Sequence, residues 1–318
     1  MNTPTQYRRV TVSEIDLSDN RYTLHPFPAI EPDERLRTNI CTFGILHPPL
    51  LLEQNNNSFI VLSGRKRIQI AAEYRNSPIT ALVIDRSHID QQQVIFSTLL
   101  QHQLIGSSLS IIEQAIFFNK AQACLPAEDL LQFLPMMGYK TKSHIPGELV
   151  SLLELDPTVQ LGLHRGVLSP RAGKKLLLFA SADQQVLAEL INELKLGGSK
   201  QQKLIDFVLE LTKRLQISAG DLLNNWQEKE KDKQHNGPQK AVSLLSWLQR
   251  KCSPRSVAEE ENFTRFCQQL QLPPGMRLEH TPSFEDEQVT LKVDFSSREQ
   301  LKRKWSQIKS MLQRDQDS

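Results

Sequence analysis

The chain has 318 residues, 39% of them apolar and 23% charged, the composition of an ordinary globular protein with room for two or three domains rather than of a disordered tail. Its 38 Lys and Arg against 36 Asp and Glu give a formal net charge of +2, so any nucleic-acid contact has to come from a local basic patch. Four scattered cysteines, Cys41, Cys124, Cys252 and Cys267, argue against a zinc site or a disulfide framework. No run approaches the ~18 apolar residues of a membrane span, and the N-terminus lacks an apolar signal core, so the expectation is a cytoplasmic protein.

In chain order, residues 1 to 108 alternate short β-rich runs (Arg9–Val12, Leu50–Leu52, Phe59–Leu62, Ile79–Ile84) with helical ones, which predicts a small α/β domain. Within it, Gly44 is expected to end a helix, Pro48 to fix a bend, and Asn55, Asn56 and Asn57 to turn one strand into the next. The strand Phe59-Ile-Val-Leu-Ser63 then runs through Gly64-Arg65-Lys66-Arg67 into a helix. Backbone donors at such a turn, reinforced by cations, suit a phosphate. The same residues also read as a solvated basic loop.

Residues 109 to 227 are almost wholly helical by their spacing of apolar positions. Ser110-Ile-Ile-Glu113 is a capping box, so Glu113 is read as a cap; Ser169-Pro170 opens another helix, and Gly166 ends the one before it. A helix from Ala127 to Pro135, a turn through Gly138 and a helix from about His144 to Leu155 make a helix-turn-helix candidate. Lys140, Lys142, Ser143 and His144 stand at the start of its second helix. Pro146 sits in the first turn of that helix, and few of its side chains can read base edges, so phosphate contact is expected before sequence reading. Arg171, Lys174 and Lys175 could hold a DNA backbone or simply form a solvated face.

The stretch Glu228 to Pro238, charged and of mixed sign, is the expected linker, with a connecting helix carrying it to residue 254. Residues 255 to 318 read as α-β-β-α: a helix over Asn262–Leu270, strands over Met276–His280 and Gln288–Phe295, and a helix from Ser297 to Leu312. In the second strand Val289, Leu291, Val293 and Phe295 share a face that needs cover. A second copy of the chain is the economical cover, the alternative being a self-contained hairpin and helices. Lys302, Arg303 and Lys304, near Glu285-Asp-Glu287 in sequence, are read as a solvated face.

Three sets of residues resemble the ParB-type chromosome and plasmid partition proteins. Gly44-Ile-Leu-His47-Pro48 followed by Ser63-Gly-Arg-Lys-Arg67 is similar to that family's Gly-x-x-Gln-Pro and Gly-Glu-Arg-Arg boxes, with Arg65 where the family has glutamate. Leu152–Leu155, Val159-Gln160, Gly166-Val-Leu-Ser169 and Lys174 match the segment after its helix-turn-helix, and Phe295-Ser-Ser-Arg-Glu-Gln-Leu301 its dimerisation domain. The resemblance implies an α+β, mostly helical fold: a ParB/sulfiredoxin-like α/β domain, a helix-turn-helix domain and a C-terminal α-β-β-α unit. It further implies a nucleoid-associated DNA-binding homodimer, with a partition-type ATPase as a partner and CTP or another phosphate-bearing ligand as cofactor. Carried onto this chain, the nucleotide site comprises Gly44, His47, Gly64, Arg65, Lys66, Arg67 and Gln103.

The chain departs from that family where its chemistry lies. The family's second box, Glu-Asn-x-x-Arg, falls on His102-Gln103-Leu104-Ile105-Gly106, so glutamate, asparagine and arginine are all replaced. Magnesium favours oxygen ligands, and the missing carboxylates argue against metal-assisted hydrolysis. The turn also lacks sulfiredoxin's reactive cysteine. Glu73 and Asp85 are single rather than clustered, against a nuclease, and His47, His88 and His102 read as structural histidines. No catalytic residue and no metal ligand is assigned. The alternative function is an interaction adaptor that keeps the scaffold without nucleotide switching or specific DNA reading.

Overall fold

The computed structural model describes residues 5–26, 34–54, 58–74, 78–85, 87, 90–106, 108–230, 235–270, 272, 275–280, 288–299, 301–302 and 305; the side chains of 255–257 and 261 are outside that set. Asn55 to Asn57, His88, Glu285 to Glu287, Arg303, Lys304 and most of the expected last helix lie outside the described residues. The chain forms two compact units, residues 1–241 and 242–318. It is α+β and mostly helical.

The first unit holds a five-stranded mixed sheet. Its strands are β1 (Thr5–Val10), β2 (Ile15–Asp16), β3 (Leu50–Glu53), β4 (Phe59–Ser63) and β5 (Ile79–Ile84), in the order β1-β5-β3-β4-β2. β1 pairs antiparallel with β5 and β3 antiparallel with β4, while β3–β5 and β2–β4 are parallel. β3 and β4 lie inside the sheet, and their runs Leu50-Leu-Leu52 and Phe59-Ile-Val-Leu62 are buried throughout. The first strand differs from expectation. It ends at Val10, and Val12–Glu14 form a 3-10 turn capped by Thr11, whose backbone N–H donates to Glu14 Oε2 at 2.9 Å.

Two helices flank the strands, α1 (Glu34–Phe43) and α2 (Arg65–Glu73). Gly44 ends α1 as expected, at φ +72°, with its N–H donating to Ile40 O at 2.9 Å. α3 (Gln92–Gly106) and α4 (Ile111–Gln122) follow, and Phe96, Phe117, Phe118 and Phe133 meet Leu50, Leu52, Ile60 and Leu62 in one continuous core. Phe117 makes edge-to-face contacts with Phe96, Phe118 and Phe133 at 5.1 to 5.6 Å between ring centres. At about 25 cal/mol per Å² of buried apolar surface, such rings dominate the stability of this layer.

The rest of the unit is helical: α5 (Ala127–Leu130), α6 (His144–Val150), α7 (Pro157–His164), α8 (Pro170–Leu176), α9 (Ser181–Glu193), α10 (Gly198–Leu215) and α11 (Ala219–Glu230). The expected helix to Pro135 is broken. α5 lasts one turn and gives way to 3-10 turns at Leu131–Phe133 and Pro135–Met137, because Pro135 supplies no N–H to extend an α-helix; Gly138, at φ +83°, closes the segment. The capping box holds, with Ser110 N–H donating to Glu113 Oε2 at 2.8 Å and Glu113 N–H to Ser110 Oγ at 3.2 Å. So does the Ser169 cap, whose Oγ accepts from Ala172 N–H at 3.3 Å. α11 runs through Glu228–Glu230, so those residues finish a helix rather than start a linker.

Three glutamines fasten the turns of this helical layer. Gln160 donates to Leu153 O and Leu155 O at 3.0 and 2.8 Å. Gln184, 5% exposed, accepts from Asp156 N–H and donates to Phe179 O. Gln201, 3% exposed, accepts from Ser169 N–H and donates to Val167 O and Leu196 O. Each meets backbone groups that would otherwise be buried without partners.

α12 (Gly237–Cys252) spans the division between the units. The second unit continues with α13 (Pro254–Gln269), longer than the expected Asn262–Leu270 because Pro254 serves as a first helical residue. The antiparallel pair β6 (Met276–His280) and β7 (Val289–Val293) follows, with Leu278 opposite Leu291. β7 stops two residues short of the expected end. His280 meets α13 through Glu260 at 3.1 Å and the Phe263 ring at 4.5 Å, so that helix covers the β6 side. Across the sheet face Val289 and Leu291 stay 43% and 41% exposed, and Phe295 beyond β7 is 49% exposed.

Candidate functional site

The turn between β4 and α2 is built around Gly64. Its φ of +91° suits glycine, and a Cβ there would fall 2.9 Å from Pro49 Cβ and 3.1 Å from its Cα. The close approach packs the turn against the Pro48–Pro49 bend and sets Arg67, one turn into α2, under the His47 carbonyl, to which its Nη1 donates. Around them lies a recess of about 570 Å³ between α1, the bend and the last turn of α3. Gly44, His47, Arg67 and Gln103, which the sequence placed in one site, all line it, and so do His102 and Ser63.

Arg65 and Lys66 do not line it. Arg65 turns the other way and donates to Leu17 O, Asp19 O and Thr23 Oγ1, the last at 3.1 Å, tying α2 to the segment after β2. Burial lowers its pKa, opposed by Asp19 and Asp16. Arg67 stands differently. Among the described residues no carboxylate pairs with it, and burial alone pulls its pKa down while it stays a cation. A half-buried guanidinium without a counter-ion attracts an anion.

His102 shares the wall. Its Nε2 lies 3.1 Å from Pro48 O, which accepts a hydrogen bond from it and fixes the neutral tautomer; Nδ1 is buried without a partner. Burial is the main cause of its lowered pKa, and Arg67 and His47 add to it. The sequence marks His102 as a replaced residue of the second box and as a structural histidine; its place beside Arg67 comes from the packing of α3 on the bend. Tyr7 of β1, Leu46 and Ile105 were also missed, and they line the recess while 70%, 73% and 78% exposed.

A second, open cleft of about 690 Å³ runs between α6 and α8. It brings together Lys140, Lys142, His144, Arg171 and Lys174. Lys174 is paired with Glu148, the one carboxylate among the described residues of this lining, and that pairing lowers the Glu148 pKa. His144 Nε2 stands 3.8 Å from the same carboxylate. Among the described residues no carboxylate pairs with Lys140, Lys142 or Arg171. Ser143 precedes α6 outside the lining, and its hydroxyl caps nothing. Lys175 faces α10, where its Nζ meets Asp206 Oδ1 at 2.5 Å.

Among the described residues no group of three or more His, Cys, Asp or Glu could hold a metal, and the described lining of the Arg67 recess contains no carboxylate. These residues do not fit a magnesium ion. Glu73 and Asp85 are paired with Arg37 and Arg8 respectively. None of the four cysteines is in a disulfide. No described helix is long and apolar enough to cross a membrane.

No protein-family model matches the sequence, and no curated protein matches it either. Among solved structures it is similar to the C-terminally truncated chromosome-partitioning protein ParB from Caulobacter crescentus complexed to the centromeric parS site, at 18% identity and a TM-score of 0.35, over 63% of this chain and 98% of that one. The same protein complexed with CTP-gamma-S gives 17% identity and a TM-score of 0.24, over 58% of this chain and 98% of that one.

Proposed function

We propose that this chain is a ParB-like DNA-binding protein that acts as a homodimer and holds an anion in the Arg67 recess. The observation that carries the reading is the α6–α8 cleft, where Lys140, Lys142 and Arg171 converge without carboxylate partners among the described residues, on a protein of nearly neutral net charge. Such a patch binds the phosphate backbone and releases counter-ions. α6 itself, His144-Ile-Pro-Gly-Glu-Leu-Val150, exposes no Arg, Asn or Gln toward base edges. Backbone contact therefore exceeds base reading in this proposal, and the division at 108/109 separates its anion-binding part from its DNA-binding part.

The half-covered face of β7 supports dimerisation, with Val289, Leu291 and Phe295 meeting a second copy. The sequence resemblance supplies CTP or another phosphate-bearing ligand for the recess, a partition-type ATPase as a partner and nucleoid association in the cytoplasm. Hydrolysis is left out of the proposal because Arg65 and His102 stand where the family's two boxes have glutamates.

Fluorescence anisotropy with a labelled duplex across a salt series, together with chromatin immunoprecipitation of the tagged protein, tests the reading. Salt-dependent binding and enrichment on DNA support it. Absence of both would favour the adaptor, the reading favoured by the poverty of base-reading side chains on α6. Sedimentation analysis of wild type against Leu291→Asp tests the dimer, and a wild-type monomer at micromolar concentration rejects it.

A further inference from the structure

We propose that the Arg67 recess takes a singly charged organic anion, a carboxylate carried on an apolar body, rather than a metal-bound polyphosphate. This rests on the reading of the recess as an anion site and replaces, as its occupant, the phosphate-bearing ligand that the resemblance implies. Charge is scarce in the recess. Arg67 is the only Arg or Lys among the described lining residues. Arg65 is spent on Leu17, Asp19 and Thr23 on the far side of α2, and Lys66 lies off the lining. His102 donates its Nε2 proton to Pro48 O while its Nδ1 is buried without a partner, and that burial favours the neutral ring against the opposing pull of the Pro48 hydrogen bond.

One guanidinium matches one carboxylate; besides the two histidines, His47 and His102, the polar groups of the described lining, Ser63, Gln103, Asn39 and the Tyr7 hydroxyl, are neutral hydrogen-bonding groups. The further charges of a triphosphate would enter an apolar wall with neither a second Arg or Lys nor a carboxylate on the described lining to meet them or hold a metal, and each would lose hydration without compensation.

The rest of the lining says what the charge is carried on. Ile40, Ile45 and Leu82 form the wall, and Tyr7, Leu46 and Ile105 stand at the mouth while more than two-thirds exposed. Large apolar side chains gathered that openly around a concave site suit an apolar ligand body. A volume of about 570 Å³ accommodates an aryl or short alkyl group beside the carboxylate.

Isothermal titration calorimetry on the full chain tests this with 4-phenylbutyrate, its uncharged amide, inorganic phosphate, and CTP with either magnesium or a chelator. The expected result is that phenylbutyrate binds, that the amide binds at least tenfold more weakly, and that CTP with magnesium binds no tighter than phenylbutyrate. Arg67→Gln should weaken phenylbutyrate at least tenfold. Tyr7→Ala, at an exposed position on β1, should weaken it about threefold. Equal binding of acid and amide overturns the proposal, as does tighter binding of CTP that depends on magnesium. Arg67-dependent binding of phosphate or CTP without any of phenylbutyrate overturns it while leaving the anion-site reading intact. Binding of none of these anions overturns both.

Discussion

The Arg67 recess and the α6–α8 cleft both present cations, yet they treat charge in opposite ways. The recess isolates one half-buried guanidinium among apolar side chains, where a ligand must leave water to reach it. The cleft spreads Lys140, Lys142 and Arg171 over an open surface, where each charge stays hydrated and acts with the others. The first arrangement discriminates by fit and desolvation, and the second by summed field and counter-ion release. The response to salt is what separates them.

The sharpest test of that contrast is a triple variant, Lys140→Ala, Lys142→Ala and Arg171→Ala. Duplex affinity should fall on the order of a hundredfold near physiological salt, and the slope of log K against log salt should flatten by about 0.9 for each phosphate no longer neutralised. Binding of a small anion in the recess should be unchanged, as calorimetry on the same variant would show. A parallel fall in both would merge the two sites into one.

Gly64→Ala attacks the recess alone. The positive φ and the approach to Pro49 should together cost on the order of 2 kcal/mol in urea unfolding and weaken anion binding. A smaller effect tests His102. Its folded pKa lies below the ordinary 6.5, so above that value both folded and unfolded forms are neutral and the group contributes nothing. As pH falls through 6.5 the unfolded chain takes up the proton first, and stability drops. His102→Gln should flatten this drop, by less than about 1 kcal/mol between pH 7.5 and 5.5, measured from urea midpoints. Smallest of all, Lys175→Ala should cost a few tenths of a kcal/mol through its exposed pair with Asp206 and leave DNA affinity unchanged.

What could be read in the sequence was what local chemistry decides. Ser110 with Glu113, Ser169 before Pro170, and the end of α1 at Gly44 are settled within four residues, and the structure shows each. The strands expected at 79–84 and 276–280 also lie at those residues. The two-residue β2 was missed because only its pairing with Phe59 and Ile60 makes it a strand. In the candidate site, spacing joined Gly64 to Arg67 but could not tell which arginine faces the recess. Successive helical residues point about 100° apart, and the carbonyls that capture Arg65 come from some 46 to 48 residues upstream. His102, Tyr7 and Ile105 reach the recess through tertiary packing and carry no local signal.

The glutamines of the helical layer impose a direction on its assembly. Gln184 and Gln201 hold backbone groups at Asp156 and Ser169, which precede them by 28 and 32 residues. The turn that opens α7 is thus completed by α9, and the turn that opens α8 by α10. During synthesis neither earlier turn can acquire its final partners until the later helix has arrived. A chain stopped after α8 would carry the Arg171–Lys174 side of the basic cleft on a turn still lacking its latch.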